Sequence, residues 1–276
     1  MLACGAMTQL EAALLGAVQG VAELLPISSS AHLYVIPSIL GRPYAGPAFD
    51  VTLHAGTFVA LLAAFWRDWL ELARNAFAAD RAARAAARTI WARLAVASAP
   101  AAVAGYLLQD AAAGWLRSLP LQASMLLVFG FLLWWIDRAR PATRHERVPG
   151  WGTCLFVGAA QTLALVPGVS RSGVTMTAAR LAGLTRVDSA RFSFLLATPI
   201  TLGACLVESH HAASRLPVGT LLAGMLSAAV VGLLAIGVLL RWLGRTGFAP
   251  FFAYRAVLAA FIFFHWLGRQ SGLGSV

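Results

Sequence analysis

Two small polar clusters interrupt an apolar chain, and their side chains could act together on a phosphate group. The first cluster is the serine triplet 28–30 with His32, and Glu23 lies before it. The second is residues 170–172, where Arg171 stands between two serines. Hydroxyls and imidazoles act as nucleophiles or bases, a carboxylate acts as a base or cation ligand, and a guanidinium neutralises phosphate charge. Together they predict a site for a phosphate or diphosphate.

The two clusters occupy the same place in a repeated stretch of sequence. Residues 16–31 (GAVQGVAELLPISSSA) align without a gap with residues 158–173 (GAAQTLALVPGVSRSG), and six of the sixteen positions are identical. Such self-similarity indicates a duplicated structural unit. Because the copies differ mainly in their polar residues, we expect them to form one polar site from two halves.

Each copy predicts a helix that breaks at a proline, followed by a second helix that begins near the serines. Pro26 and Pro167 cannot continue a helix, whereas serine is favoured at a helix N-terminus, and we expect the first such helix to start near Ala31. A helix N-terminus offers unpaired backbone N–H groups and a positive dipole end, which bind anions. Four serines are expected to contribute to the anion site: Ser28, Ser30, Ser170 and Ser172. Serines that only cap their helices are the alternative.

Glu23 is an ionisable residue within an apolar segment, where insertion costs about 2.5 to 3.5 kcal/mol. Gln19 precedes it by one turn on the same helix face, so both side chains can point into one cavity. Because a bare carboxylate would repel a phosphate, the sequence predicts either a bridging divalent cation or a protonated Glu23. A purely structural pair between Glu23 and Arg171 is the alternative.

Ser29 and His32 lie within one turn of each other, and the sequence does not decide which attacks phosphorus. Asp50 and His54 could line the same cavity or lie at the membrane interface. Arg255, inside the last apolar run, is expected to snorkel or to pair, with contact to the site as the less favoured interpretation. The other histidines are expected to be solvated: His145, His210, His211 and His265.

Composition places this chemistry in a membrane. Of 276 residues, 59% are hydrophobic and only 12% are charged, far from the usual composition of a soluble domain. The net charge of +10 comes from arginines scattered among loops, which argues against nucleic-acid binding. Three widely spaced cysteines predict neither a disulfide framework nor a metal cluster. We therefore expect an all-α polytopic membrane protein.

Six apolar runs are long enough to cross a bilayer, three after each repeat copy. They are residues 51–66, 90–108, 119–136, 192–207, 216–240 and 248–267. The copies themselves, at about 11–25 and 151–166, are expected to begin re-entrant helix pairs. Three crossings per half would insert the halves in opposite directions, so we expect one membrane domain, 1–276, built of inverted repeats at about 8–136 and 150–267.

The arginines indicate the orientation of this topology. With the loop after the first crossing in the cytoplasm, fifteen arginines lie on the cytoplasmic side and four outside: Arg42, Arg117, Arg215 and Arg269. The positive-inside rule favours this orientation, with both termini outside. The two re-entrant pairs then enter from opposite faces and meet near the midplane.

The motifs that contain these residues resemble those of the undecaprenyl-diphosphate phosphatase family, also called bacitracin resistance protein. The similarity lies in residues 19–32, from Gln19 through LPISSSAH, and in PGVSRSGVT at 167–175, with support from FDVTLHAGT at 49–57 and RFSFLLATP at 191–199. It covers nearly the whole chain. The resemblance implies an integral enzyme of the bacterial inner membrane that removes the terminal phosphate from undecaprenyl diphosphate and so regenerates the lipid carrier for peptidoglycan synthesis.

The resemblance also implies roles for particular residues. Glu23, Ser29, His32 and Arg171 match the family's catalytic positions, and Thr175 joins Gln19 and the serines among the substrate-binding residues. It further implies metal dependence, and we expect Mg²⁺ or Ca²⁺ at Glu23. Since Gln19 stands where the family has Glu or Gln, only one carboxylate of this motif is available, and the diphosphate would supply more of the ligands.

The remaining expectations concern partners and an alternative function. The site is expected to face the periplasm, and the partners are undecaprenyl diphosphate and membrane lipids, with a homodimer left open. Inverted repeats with broken helices are also typical of secondary transporters, so transport of a lipid phosphate or another anion without hydrolysis is the alternative.

Overall fold

The computed structural model describes residues 7–108, 115–209 and 216–270, and this part of the chain is helical, with one isolated β-bridge. Two 3-10 turns, at Trp115–Arg117 and Thr162–Leu165, accompany the α-helices. The α-helices are α1 (Gln9–Leu24), α2 (Ser29–Ile39), α3 (Pro47–Ala64), α4 (Trp66–Ala76), α5 (Arg81–Leu107), α6 (Leu119–Ala139), α7 (Trp151–Gln161), α8 (Arg171–Leu181), α9 (Arg186–Ser209), α10 (Val218–Thr246) and α11 (Ala249–Gln270).

Six of these helices can cross a membrane, which confirms the prediction of an all-α polytopic membrane protein. They are α3, α5, α6, α9, α10 and α11, and their most apolar windows have mean hydropathies between 1.3 and 2.4. The main difference from the predicted spans is at α5, which begins at Arg81 rather than near Ile90. The side chain of Asp80 accepts hydrogen bonds from the backbone N–H groups of Ala82 and Ala83, so the helix starts before its apolar part.

The helix α4 was not predicted from the sequence. It follows α3 almost directly, and none of its residues is buried. Trp69 of α4 lies with its ring 5.4 Å from that of Trp91 in α5. A short helix with charged residues on one side and aromatic rings on the other does not give a spanning signal, so the apolar-run criterion missed it.

Two chain breaks separate short helices, at the places where the sequence predicted them. The first tip, residues 25–28, joins α1 to α2, and the second tip, residues 166–170, joins the 3-10 turn at Thr162–Leu165 to α8. Among the described residues that are not glycine, only Ser28 and Ser170 have positive φ angles, 74° and 72°. These serines are equivalent in the repeat, so both copies make the same turn. The expected start of α2 near Ala31 was two residues too late.

The first helix of each copy packs against a spanning helix of the other half. Helix α1 packs along α10, and α7 packs along α5. The contacts are close at equivalent glycines: a Cβ on Gly16 would collide with the Gly224 carbonyl oxygen, and one on Gly158 with the Ala97 carbonyl oxygen. Small residues allow such close helix crossings in membranes. The opposite insertion of the two halves stays a prediction.

A buried ion network fixes the far end of α8. Arg180 donates through Nε to Asp137 Oδ1 at 3.0 Å, and Arg186 Nε donates to the same oxygen at 2.9 Å. Both Arg180 and Asp137 are buried. The network joins α6, α8 and the start of α9, at the end of α8 that is remote from Arg171.

The two close crossings predict matched effects of substitution. Gly16→Ala and Gly158→Ala should each lower the free energy of unfolding in detergent by about 1 to 3 kcal/mol, because the added methyl group must push backbone away. Gly152→Ala is the control, since nothing lies within 4 Å of its added Cβ. Thermal or chemical unfolding gives the free energy of unfolding of the three variants. A Gly158→Ala protein as stable as Gly152→Ala would contradict the close packing at Gly158.

Candidate active site

Glu23 lies at the centre of the polar residues and contacts both copies of the repeat. Its Oε1 accepts from Arg171 Nη2 at 2.5 Å. Its Oε2 accepts a short hydrogen bond from Ser29 Oγ and a longer one, 3.4 Å, from Gln19 Nε2. Gln19 and Glu23 are buried. The structure therefore brings together four of the residues that the sequence singled out, and the ion pair between Glu23 and Arg171 joins the tips.

The serines of the two tips form matching local contacts. Ser28 Oγ lies 3.2 Å from Ser30 Oγ, and Ser170 Oγ lies 3.3 Å from Ser172 Oγ. Ser170 Oγ also accepts from the backbone N–H of Gly173, so it caps α8. Ser28 occupies the N-cap position of α2 but makes no side-chain capping bond. A helix-capping role therefore explains Ser170 in the second copy but does not explain Ser28 in the first.

A serine in the first turn of α8 bonds the first tip directly. Ser172 Oγ donates to the backbone carbonyl of Leu25 at 3.0 Å. Thr175 lies one turn further along α8, where Oγ1 donates to the Arg171 carbonyl at 2.8 Å and contacts Ser193 Oγ at 2.6 Å. Thr175 therefore supports the backbone that carries Arg171.

Both ring nitrogens of His32 have partners. Nδ1 lies 2.7 Å from the Ser28 carbonyl oxygen, and since a carbonyl only accepts, Nδ1 carries the proton of the neutral ring. Nε2 lies 2.6 Å from the hydroxyl of Tyr254, whose ring stacks on the imidazole with a centroid separation of 5.7 Å. Tyr254 was not identified from the sequence. The sequence feature that could have identified Tyr254 is its position next to Arg255, inside the last apolar run.

His54 reaches the site, whereas the side chain of Asp50 turns to another partner. His54 Nε2 lies 3.6 Å from Glu23 Oε2, and Nδ1 lies 2.7 Å from the Asp50 backbone carbonyl oxygen. The Asp50 carboxylate accepts a short hydrogen bond from Tyr44. Burial, and then the neighbouring Asp50 charge, raise the pKa of the Tyr44 hydroxyl above its usual range, so it stays a donor.

Two sequence expectations about single residues were wrong. Arg255 does not snorkel: it is fully buried, and among the described residues it contacts backbone carbonyl groups rather than a carboxylate. His265 is not solvated on its Nε2, which is buried without a hydrogen-bond partner in the described part of the chain. His145 is exposed, as expected. His210, His211 and Arg215 lie outside the described residues.

The described residues fit a divalent cation only if the substrate supplies most of its ligands. No group of three or more His, Cys, Asp or Glu side chains in the described ranges is arranged to hold a metal ion. However, Gln19 Oε1 is buried without a hydrogen-bond partner, beside the Glu23 carboxylate. Mg²⁺ and Ca²⁺ prefer such oxygens, and Mg²⁺ commonly binds one or two protein ligands plus substrate phosphates.

Comparison with known proteins gives consistent matches over nearly the full length. The family model described as bacitracin resistance protein BacA matches residues 12–261. The undecaprenyl-diphosphatase of Pelotomaculum thermopropionicum is 42% identical over 266 residues, which is 96% of this chain and 100% of that protein. The undecaprenyl-diphosphatases of Moorella thermoacetica and Gemmatimonas aurantiaca are 44% and 46% identical, over 95% and 93% of this chain and 100% and 97% of theirs.

The arrangement of the site predicts how it binds an anion. Inorganic pyrophosphate with Mg²⁺ should raise the free energy of unfolding by about 2.7 kcal/mol when its concentration is near 100 times its Kd. Arg171→Ala should remove most of this shift, because it deletes the guanidinium that lies beside Glu23 and can neutralise phosphate charge. Arg42→Ala is the control, since Arg42 pairs with Glu11 at an exposed position. An unchanged shift in Arg171→Ala, measured by thermal unfolding, would contradict the site.

Proposed function

Because the chain belongs to the bacitracin resistance protein BacA family, we propose that it hydrolyses undecaprenyl diphosphate to undecaprenyl phosphate and inorganic phosphate. It is a multi-pass membrane enzyme, a phosphatase, and its product is the lipid carrier used in cell-wall synthesis. The observation that carries the assignment is the contact between Glu23, Ser29 and Arg171, since it unites a base, a hydroxyl and a cation at facing helix ends.

The proposed location is the bacterial inner membrane, with the site open to the periplasm. The excess of arginines in the loops assigned to the cytoplasm supports this orientation. The first tip then enters from the outer face. Both tips come from one chain, so a homodimer, if it forms, is not needed to complete the site.

Binding is proposed to place the diphosphate between the N-termini of α2 and α8. The first backbone N–H groups of each helix have no acceptor within that helix, and the dipoles of both helices favour an anion there. Arg171 is paired with Glu23 when substrate is absent. The diphosphate competes for the guanidinium, so its arrival frees the carboxylate beside Ser29.

Ser29 is the favoured nucleophile. Its hydroxyl already donates to Glu23, whereas His32 has both ring nitrogens engaged, by the Ser28 carbonyl and by Tyr254. Ser29 Oγ attacks the terminal phosphorus, the bond to the bridging oxygen breaks, and undecaprenyl phosphate leaves with the electron pair. Glu23 accepts the hydroxyl proton. Arg171 stabilises the charge on the transferred phosphoryl group.

Water completes the reaction by attacking the phosphoserine. The bond between phosphorus and Ser29 Oγ breaks, Glu23 returns a proton to that oxygen, and inorganic phosphate is released. His32 is proposed to accept the proton of the attacking water at Nε2, once Tyr254 yields its place there. The bond between Nδ1 and the Ser28 carbonyl keeps Nε2 as the basic atom of the neutral ring.

A divalent cation, Mg²⁺ or Ca²⁺, is proposed as the cofactor, held by Glu23 and Gln19 Oε1. When bound, it would neutralise charge on the diphosphate oxygens. Gln19 Oε1 has no hydrogen-bond partner among the described residues, and this supports a role in cation binding rather than only in holding Glu23.

Phosphate release from undecaprenyl diphosphate by the purified protein in detergent tests the function. Ser29→Ala and Glu23→Gln should lower kcat by at least about 100-fold, because nucleophile and base are lost. Ser124→Ala should keep full activity, since Ser124 is exposed and its hydroxyl donates to the Pro120 carbonyl of its own helix. Detergent abolishes any gradient, so a wild-type protein that binds the lipid without releasing phosphate would indicate transport instead.

Trapping the covalent intermediate distinguishes the two nucleophiles. Rapid acid quenching during turnover should yield an acid-stable phosphoserine at residue 29, which peptide mass spectrometry can assign. A phosphoramidate at His32, trapped by alkaline quenching of a parallel sample because it is acid-labile, would contradict the assignment to Ser29. Net inversion of configuration at an isotopically chiral terminal phosphorus, instead of the retention that two successive displacements give, would contradict covalent catalysis altogether.

A further inference from the structure

Arg255 in α11 is fully buried, and its guanidinium donates to backbone carbonyl groups of three separate segments. Nε donates to Leu126 at 2.9 Å in α6, and Nη1 donates to Pro26 at 3.1 Å in the first tip. Nη2 faces three carbonyl oxygens at 2.9 to 3.3 Å, those of Met125, Gly168 and Val169. One side chain thus contacts both tips and the helix beside them.

Such a cation is costly to bury. A charged side chain in a membrane segment is rare, and it normally pairs with an acid or serves a site. Here the charge is compensated by carbonyl dipoles, with no carboxylate among the described residues forming an ion pair with it. The planar guanidinium suits this task because its five N–H groups point in fixed directions.

The bonded carbonyls lie immediately before the two helix N-termini of the site. Pro26 precedes Ser28 by two residues, and Gly168 and Val169 lead directly into Ser170. A Cβ added to Gly173, in the first turn of α8, would lie 3.0 Å from Arg255 Nη1. Arg255 therefore contacts the backbone immediately before both serine clusters.

We propose that Arg255 is a positioning residue that sets the spacing of the two helix N-termini and thereby places Ser29 against a phosphorus held by Arg171. The proposal rests on the proposed function of the site. Reacting groups on two separate segments need a fixed separation, and a misplacement of 1 Å can cost about 100-fold in rate. Arg255 fixes this separation because its guanidinium bonds both segments at once.

Arg255→Lys tests the proposal, because the ammonium keeps the charge but carries three N–H donors on one atom, too few and too compact to replace the bonds to five carbonyl groups. We expect kcat to fall at least about ten-fold, with KM changing less than about three-fold, because Arg171 and both helix N-termini remain available to bind the diphosphate. The control is Arg180→Lys, which alters another buried arginine bound to carbonyl groups and Asp137, away from the tips. The Arg180→Lys protein should be less stable than the wild type but should keep the wild-type kcat per folded molecule.

Two results would overturn the proposal. One is an Arg255→Lys protein with the kcat of the wild type. The other is an equal fall of kcat in Arg255→Lys and Arg180→Lys, after correction for the folded fraction, since that would reflect general destabilisation. Failure of the proposed function is separate, because the wild-type protein would then release no phosphate.

A second pair of variants keeps the test valid if Arg255→Lys does not fold. Gly130 in α6 packs against Arg255, and an added Cβ would lie 3.1 Å from Nε and 3.2 Å from Cδ. Gly130→Ala should displace the guanidinium slightly and lower kcat by about three- to ten-fold while the protein stays folded. Gly237→Ala is the matched control within a spanning helix, since nothing lies within 4 Å of its Cβ. Equal kcat in these two glycine variants would overturn the proposal.

Discussion

A helix that breaks inside a membrane leaves backbone groups without partners, and the structure satisfies the two kinds of group differently. The carbonyl oxygens at the tips are bonded within the protein, by Ser172 at Leu25 and by Arg255 at Pro26, Gly168 and Val169. In the first turn of α8 the N–H group of Gly173 is capped by Ser170, and the other first-turn N–H groups of α2 and α8 have no acceptor within their own helix. Lipid cannot replace either set of bonds, so the breaks are tolerated only where protein or a polar ligand meets them.

The difference between the bonded tip carbonyl groups and the helix N-termini at the site also accounts for the electrostatics of the site. Two helix N-termini and Arg171 create a positive region, and Glu23 is the carboxylate that pairs with Arg171 there, with His54 also close to it. A diphosphate carries more negative charge than one carboxylate and can accept from both helices at once. In the proposed mechanism, transfer of Arg171 from Glu23 to the substrate links binding to release of the base next to Ser29.

Much of this arrangement could be predicted because it depends on features of the local sequence. The prolines predicted the helix breaks and the repeat predicted the pairing of the two tips. The cost of burying Glu23 indicated a functional site, although its pair with Arg171 was only the alternative to a cation or a proton. The contacts of Arg255 could not be predicted, because its partners are backbone carbonyls of three distant segments that have no distinctive side chains. Tyr254 was missed for a similar reason: only tertiary packing brings it to His32, 222 positions away.

The central claim is that the two tips bind one diphosphate together. A structure of the protein with a non-hydrolysable methylene diphosphonate analogue of a prenyl diphosphate tests it most directly. The account predicts that the headgroup lies between the N-termini of α2 and α8, with the terminal phosphonate near Ser29 and Arg171 bonded to the ligand instead of Glu23. A headgroup bound to one tip alone, with the pair between Arg171 and Glu23 intact, would contradict it.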